Sequence, residues 1–357
     1  MTGRGSEQPA ERPDEPARAG TERLQPDGVT APPLLSVQGV VKDYRIRGQG
    51  MDRRLRAVDG VSFSCEKGET VGIVGESGCG KTTLGRLVAG LVRPTAGAVA
   101  VRGLVQVGPS QRRAGRAGVQ MVYQSPVESL DPRMRIAASI GEPLGHLRRS
   151  ERRQRVRSAL AAVALGNDHA RRYPHELSGG QQQRACIARA LIGSPSVVVL
   201  DEAVSNLDVL LQQEVMALLV DLQAGTGVAY VFISHDFAAV AALSTRVMVM
   251  YLGRVVEVLP AQESTGQLLH PYSVALQSSQ LRPRPDGTRR KPIILKGDPP
   301  SAIEEMQGCR FASRCPLADE RCRSADPPLT EYAPNHFAAC YYPGALVAEQ
   351  YDSPVMT

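Results

Sequence analysis

Nine residues, Gly75–Thr83 (GESGCGKTT), constrain this chain more than any others. They follow a short apolar run, Thr70–Val74 (TVGIV), and lead into TTLGRLVAGL, which has helical spacing, so the local order is strand, tight turn, helix. The segment fits G-x-x-x-x-G-K-[ST] through Gly75, Gly80, Lys81 and Thr82. Glycines at Gly75, Gly78 and Gly80 let backbone N–H groups curl around an anion with no Cβ in the way. Lys81 adds a point charge, and the Thr82 hydroxyl suits a Mg²⁺ position. Glu76, Ser77, Cys79 and Thr83 complete the loop. The bland alternative is a glycine-rich turn that happens to contain Lys-Thr. It leaves the flanking strand and helix, both in the required order, without a reason.

A second element supports the triphosphate reading. The run VVVLDE ends a buried-type strand with Asp201 and Glu202, so two carboxylates emerge at the carboxyl end of a parallel strand, where α/β sheets place ligands. Asp201 suits the Mg²⁺ shell, and Glu202 suits polarising an attacking water. Cys79, inside the loop's positive field, is expected to be a reactive thiolate.

Short β-type runs alternate with helical sequence from Leu34 onward: Leu35–Val41, Thr70–Val74, Val119–Tyr123, Val197–Leu200, Val228–Ile233 and Arg246–Tyr251. That alternation predicts an α/β domain with a largely parallel sheet. Between Arg133 and Leu191 strand signals vanish, which predicts a helical insertion. Residues 1–33 read as a disordered leader, Arg282–Pro300 as a linker and 344–357 as a tail. The longest uninterrupted apolar run, Ala159–Gly166, is eight residues, where spanning a bilayer takes roughly 20. No signal-peptide core is present, so a cytosolic protein with reduced thiols is expected. The net charge of +6 comes almost wholly from arginine. The arginine run Arg148–Arg157 carries no interleaved aromatic residues, which argues for a solvated helix face rather than nucleic-acid binding.

With these residues in view, ELSGGQQQRACIARAL (Glu176–Leu191) resembles the signature segment of the ATP-binding-cassette (ABC) transporter ATPases. Ser178, Gly179, Gly180 and Gln181 match its core, and Ser178 can cap a helix that presents donors to a γ-phosphate. The resemblance implies a P-loop ABC cassette with a RecA-like core sheet, a helical subdomain at about 133–191 within a domain at 34–260, and MgATP as ligand. It implies that Gln124 senses γ-phosphate or Mg²⁺ and meets the permease, and that His235 is the switch histidine working with Glu202. It also implies that Asp208 communicates across a cassette dimer and that Tyr44 stacks on adenine. One departure is Ala203, where the family usually has Pro.

Two further stretches, VYQSPVESLDPRM (Val122–Met134) and HPYSVALQSS (His270–Ser279), resemble the oligopeptide/dipeptide importer ATPases. His270 reads as a helix-entry packing residue. An extension at 261–300 then leads into a small cysteine module at 301–343, with Cys309-x5-Cys315-x6-Cys322-x17-Cys340. Four thiols in a reduced chain call for a soft or borderline cation. Zinc usually shows C-x2-4-C pairs, absent here, and spread cysteines also suit an iron–sulfur cluster. The resemblance implies a 4Fe-4S cluster, with zinc second and merely buried thiols third. Arg310, Arg314, Arg321 and Arg323 interleave with these cysteines and would offset cluster charge. The implied role is the ATPase subunit of a peptide importer at the cytoplasmic face of the membrane. Its implied partners are a second ATPase subunit, two permease chains and an extracytoplasmic binding protein. Alternatives are an importer of nickel or another small solute, a soluble ABC ATPase acting on ribosomes or DNA, and a non-hydrolysing regulatory subunit.

Overall fold

The computed structural model describes residues 33–48, 51–105, 118–266, 268–280, 293–295, 297, 300 and 307–346. Most of the expected leader, linker and tail therefore lies outside the described residues. In chain order the elements begin with β1 (Leu35–Gly48), β2 (Met51–Cys65), β3 (Thr70–Val74), α1 (Lys81–Val88), β4 (Ala96–Val101), β5 (Leu104–Val105) and β6 (Val119–Val122). The helices α2 (Ile136–Gly141), α3 (Arg149–Ala162) and α4 (Gly179–Leu191) follow with no strand between them. Then come β7 (Val197–Asp201), α5 (Val209–Thr226), β8 (Ala229–Ser234), α6 (Phe237–Leu243), β9 (Arg246–Tyr251) and β10 (Arg254–Pro260). The chain closes with α7 (Pro271–Ser278), α8 (Glu320–Ser324), β11 (Thr330–Ala333) and β12 (His336–Ala338).

β3, β7 and β8 are buried at every position. A strand apolar on both faces needs cover on both faces, which a parallel sheet between helical layers provides. β3 pairs in parallel with β8 and β9, β8 with β7, and β7 with β6. Alternate residues then feed two cores. Val71 and Ile73, Val197 and Val199, and Val231 and Ile233 meet Leu84, Leu87 and Val88 of α1 and the antiparallel sheet β2-β1-β4-β5. Val198, Leu200, Tyr230 and Phe232 pack into the other core with the remaining helices. A one-residue slip would exchange the two faces, so register is firmly set.

The edges depart from expectation. β2 and β10–β12 carry weak signals because polar residues interrupt them, as in RRLRAVD of β2, whereas β4 is built of Ala, Gly and Val and β5 is only two residues long. The cysteine-bearing segment is joined to the main sheet. The described residues all fall within one compact unit. β12 pairs antiparallel with β10, extending the main sheet to eight strands in the order β11-β12-β10-β9-β3-β8-β7-β6. A buried carboxylate fastens this edge. Glu257 is fully buried and accepts from the Leu269 and His270 backbone N–H groups at 2.7 and 3.0 Å, with His336 Nε2 at 2.7 Å. Three such partners offset the cost of burying the charge.

Candidate active site and a four-cysteine cavity

The loop between β3 and α1 is shaped by backbone crowding. A Cβ on Gly80, where φ is +107°, would lie 2.1 Å from the Ala57 carbonyl oxygen, and one on Gly75 would lie 2.3 Å from that of Met250. Both positions therefore require glycine. Lys81, 5% exposed, folds back so that Nζ donates to the Gly75 and Glu76 carbonyls at 2.7 and 2.9 Å. Ser77 and Gly78 are exposed at the rim, and Thr82 and Thr83 are half-buried on the first turn of α1.

The Thr82 hydroxyl donates to Asp201 Oδ1 at 3.2 Å, so two of the three expected Mg²⁺ ligands already meet. Burial pushes the Asp201 carboxyl above its ordinary value. The Thr82 bond opposes that shift, and the adjacent Glu202 adds to it. A divalent cation at this spot would supply the missing counter-charge. Glu202 follows in the left-handed region, φ +47°, rare for a residue with a side chain. Its N–H donates to the Ile233 carbonyl at 2.9 Å, and its own carbonyl accepts from the Ser205 hydroxyl at 2.8 Å. That pose turns the carboxylate toward β8, where Glu202 Oε2 lies 3.5 Å from His235 Nδ1. An acid and a base on adjacent strand ends can together orient and deprotonate a water. Ala203, in the place of the usual Pro, is buried.

The other expected residues are more dispersed. Gln124 is exposed just beyond β6, and its carbonyl accepts from Asn206 Nδ2 at 3.4 Å. Asp208 caps α5, accepting from the Leu210 and Leu211 N–H groups at 3.1 and 3.0 Å. Ser178 caps α4 in a capping box with Gln181, as its sequence position predicts. Ser178 and Gly179 are exposed, whereas Gly180 is buried against Leu211. Among the described residues no hydrogen bond or ion pair joins Ser178–Gln181 to Gly75–Thr83. Tyr44 sits on β1 opposite Leu55, with Lys42 Nζ 5.1 Å from its ring centroid, and makes no described contact with the loop.

Comparison with known proteins decides the family. Residues 58–205 match the ABC transporter family, and residues 256–322 match the oligopeptide/dipeptide transporter C-terminal region. A probable peptide ABC transporter ATP-binding protein of Sinorhizobium fredii is 44% identical over 317 residues, covering 86% of this chain and 89% of that one. The chain belongs to the ABC transporter ATP-binding proteins. The oligopeptide transport ATP-binding protein AppF of Bacillus subtilis is 43% identical over 318 residues, covering 86% of this chain and 97% of its own. Among solved structures, the ABC cassette MJ0796, as a dimer in a post-hydrolysis state with ADP and Pi, aligns with TM-score 0.57 and 28% identity over 64% of this chain and 98% of that one. The cbiO1 protein of Clostridium perfringens, part of an ABC transporter complex, aligns with TM-score 0.58 and 26% identity over 66% and 91% of the two chains. This chain has the ABC ATPase fold and is a transport ATPase, for which ATP and Mg²⁺ are fitting ligands.

Two expectations for this cassette need correction. Cys79 is 4% exposed, and burial raises its thiol despite Lys81 Nζ at 3.9 Å from Sγ, so it is a neutral thiol and not a thiolate. Three of the four arginines among the C-terminal cysteines have partners other than a cluster, while Arg323 acts on the Cys322 thiol. Arg310 pairs with the buried Asp59, which also takes Arg254 Nε at 2.7 Å, and Arg314 pairs with Glu76. Arg321 lies over the Tyr341 ring at 3.9 Å. Tyr272, whose hydroxyl accepts from the Glu76 N–H at 2.7 Å, was invisible as a loop contact because 196 residues separate the two.

Cys309, Cys315, Cys322 and Cys340 line one small cavity of about 20 Å³ with His270, Phe311 and Tyr342. Burial raises all four thiols, Cys315 and Cys340 each to about 11, and the neighbouring sulfurs add to the shift in Cys309, Cys315 and Cys340. The Tyr342 N–H donates to Cys340 Sγ at 3.3 Å. Among the described residues no group of three or more His, Cys, Asp or Glu is disposed to hold a metal ion. The expected zinc or iron–sulfur site therefore has no direct support in the arrangement itself.

Proposed function

We propose that this chain is the ATP-binding and hydrolysing subunit of an importer for oligopeptides or dipeptides. The observation that carries the reading is the paired geometry at the strand ends: Thr82 on Asp201, and His235 beside Glu202. In this reading Gly75–Thr83 cradle the phosphates, with Lys81 on the β and γ oxygens. Thr82, Gln124 and Asp201 hold Mg²⁺, Glu202 polarises the attacking water, and His235 holds the γ-phosphate and that water. Tyr44 stacks on adenine.

Ser178, Gly179, Gly180 and Gln181 serve the site of a second cassette. The exposure of Ser178 and Gly179, and the lack among the described residues of any hydrogen bond or ion pair from this segment to this chain's own loop, support that division of labour, with Asp208 communicating between the two. Two permease chains and an extracytoplasmic peptide-binding protein complete the complex, with this subunit peripheral on the cytoplasmic face. The names of the relatives and the match to the oligopeptide/dipeptide C-terminal region favour peptide over nickel as cargo. Reconstituted with its permeases and binding protein in vesicles, the subunit should hydrolyse ATP faster when peptide is added. Stimulation by a nickel complex but by no peptide would overturn the choice of cargo.

The four-cysteine cavity is proposed to hold a thiolate-bound 4Fe-4S cluster. The four cysteines line one cavity, which supports a thiolate donor set of that kind. Such a group, when bound, braces the C-terminal segment. Anaerobically purified protein should contain iron and acid-labile sulfide. Zinc alone, or no metal, would overturn this assignment.

A further inference from the structure

The phosphate loop is held from outside the cassette motifs. Glu76 directs both carboxylate oxygens at the Arg314 guanidinium, with Nη1 at 2.9 Å from Oε2 and Nη2 at 3.2 Å from Oε1. This two-pronged geometry is the most directional ion pair available to a carboxylate. The Arg314 side chain is 8% exposed, so solvent screens the pair little. Nη1 also reaches the Tyr251 hydroxyl at 3.4 Å, and the guanidinium lies 5.9 Å from the Tyr251 ring centroid.

The Glu76 backbone is fixed as well. Its N–H donates to the Tyr272 hydroxyl at 2.7 Å, and its carbonyl receives Lys81 Nζ at 2.9 Å. Tyr251, Tyr272 and Phe311 pack ring on ring, with centroids 4.6 to 5.6 Å apart. One loop residue thus carries the resting place of the phosphate-binding lysine on its carbonyl and a buried arginine on its side chain. Arg314 comes from the segment between Cys309 and Cys315, 238 residues away. Among the described residues no hydrogen bond or ion pair links Arg314 to Glu202 or His235, whose poses are set by the ends of β7 and β8.

We propose that Arg314 is a positioning residue for nucleotide binding: through Glu76 it fixes the pose of the phosphate loop and neutralises a carboxylate that would otherwise face the triphosphate. The C-terminal segment thereby tunes ATP affinity without touching ATP. The proposal rests on Gly75–Thr83 being the nucleotide site.

The test is equilibrium binding of MgATP to the full-length chain, together with steady-state hydrolysis in the assembled complex. Arg314→Met should weaken binding and raise KM by about tenfold while kcat at saturation holds. Arg314→Lys, which keeps the charge but loses the fork, should recover only part of the loss. The double variant Arg314→Met/Glu76→Gln should bind no worse than the weaker single variant, because both cut the same pair. Unchanged affinity, a fall in kcat with KM constant, or additive losses would overturn the proposal. If Arg314→Met fails to fold, Glu76→Gln alone decides: altered affinity supports the pair and wild-type affinity refutes it. Lys81→Ala separates the two levels of the argument. Retained ATP binding in that variant would sink the site itself, whereas its loss beside a normal Arg314→Met would sink only the role of Arg314.

Discussion

At the scale of single residues, burial outweighs charge at Cys79. The lysine of the loop is 3.9 Å from its sulfur, yet the thiol is raised because it is sealed beneath Gly75 and away from water. Neutral thiols alkylate slowly. N-ethylmaleimide at neutral pH should therefore label Cys79 at least about tenfold more slowly than an exposed cysteine, with labelling accelerating toward alkaline pH. Rapid stoichiometric labelling near pH 7, followed by mass spectrometry of the tryptic peptide, would contradict this. The sequence placed Cys79 in the loop but carried no sign of the carbonyl and sulfur packing that buries it. By contrast, Thr82, Asp201, Glu202 and His235 were legible, since each sits at the end of an unmistakable strand or helix. Arg314 was read as cluster counter-charge because nothing local reveals a partner 238 residues away.

At the scale of elements, legibility followed burial. β3, β7 and β8, apolar on both faces, stand out in sequence, while β10–β12 share a polar edge and do not. What joins that edge to the rest is partly titratable. His270 caps α7 with Nδ1 accepting from the Tyr272 N–H at 3.1 Å, and it is almost fully buried. Burial lowers its pKa from 6.5 to about 4, with Glu257 opposing the shift. The unfolded chain therefore binds a proton that the folded chain refuses. The stabilising effect is present above pH 6.5 and is lost as pH falls toward 4, amounting to roughly 3 kcal/mol when complete. His270→Asn keeps a capping acceptor but cannot titrate. Urea unfolding at pH 7 and pH 4.5 should show a smaller loss for that variant than for wild type. Equal losses would place the acid sensitivity elsewhere.

At the scale of the whole molecule, the cassette is completed by its C-terminal segment, which extends the main sheet and reaches the phosphate loop through Arg314. Among the described residues no helix is long and apolar enough to cross a membrane. In the proposed importer, ATP turnover drives transport through other subunits, and that turnover rests on the Glu202 carboxylate. Steady-state hydrolysis by Glu202→Gln in the assembled complex is the decisive measurement, read with the nucleotide that remains bound. The expected result is ATP retained unhydrolysed and turnover reduced by at least about 100-fold. Hydrolysis near the wild-type rate, with ADP the bound nucleotide, would contradict the assignment of Glu202 and the reading of the site built around it.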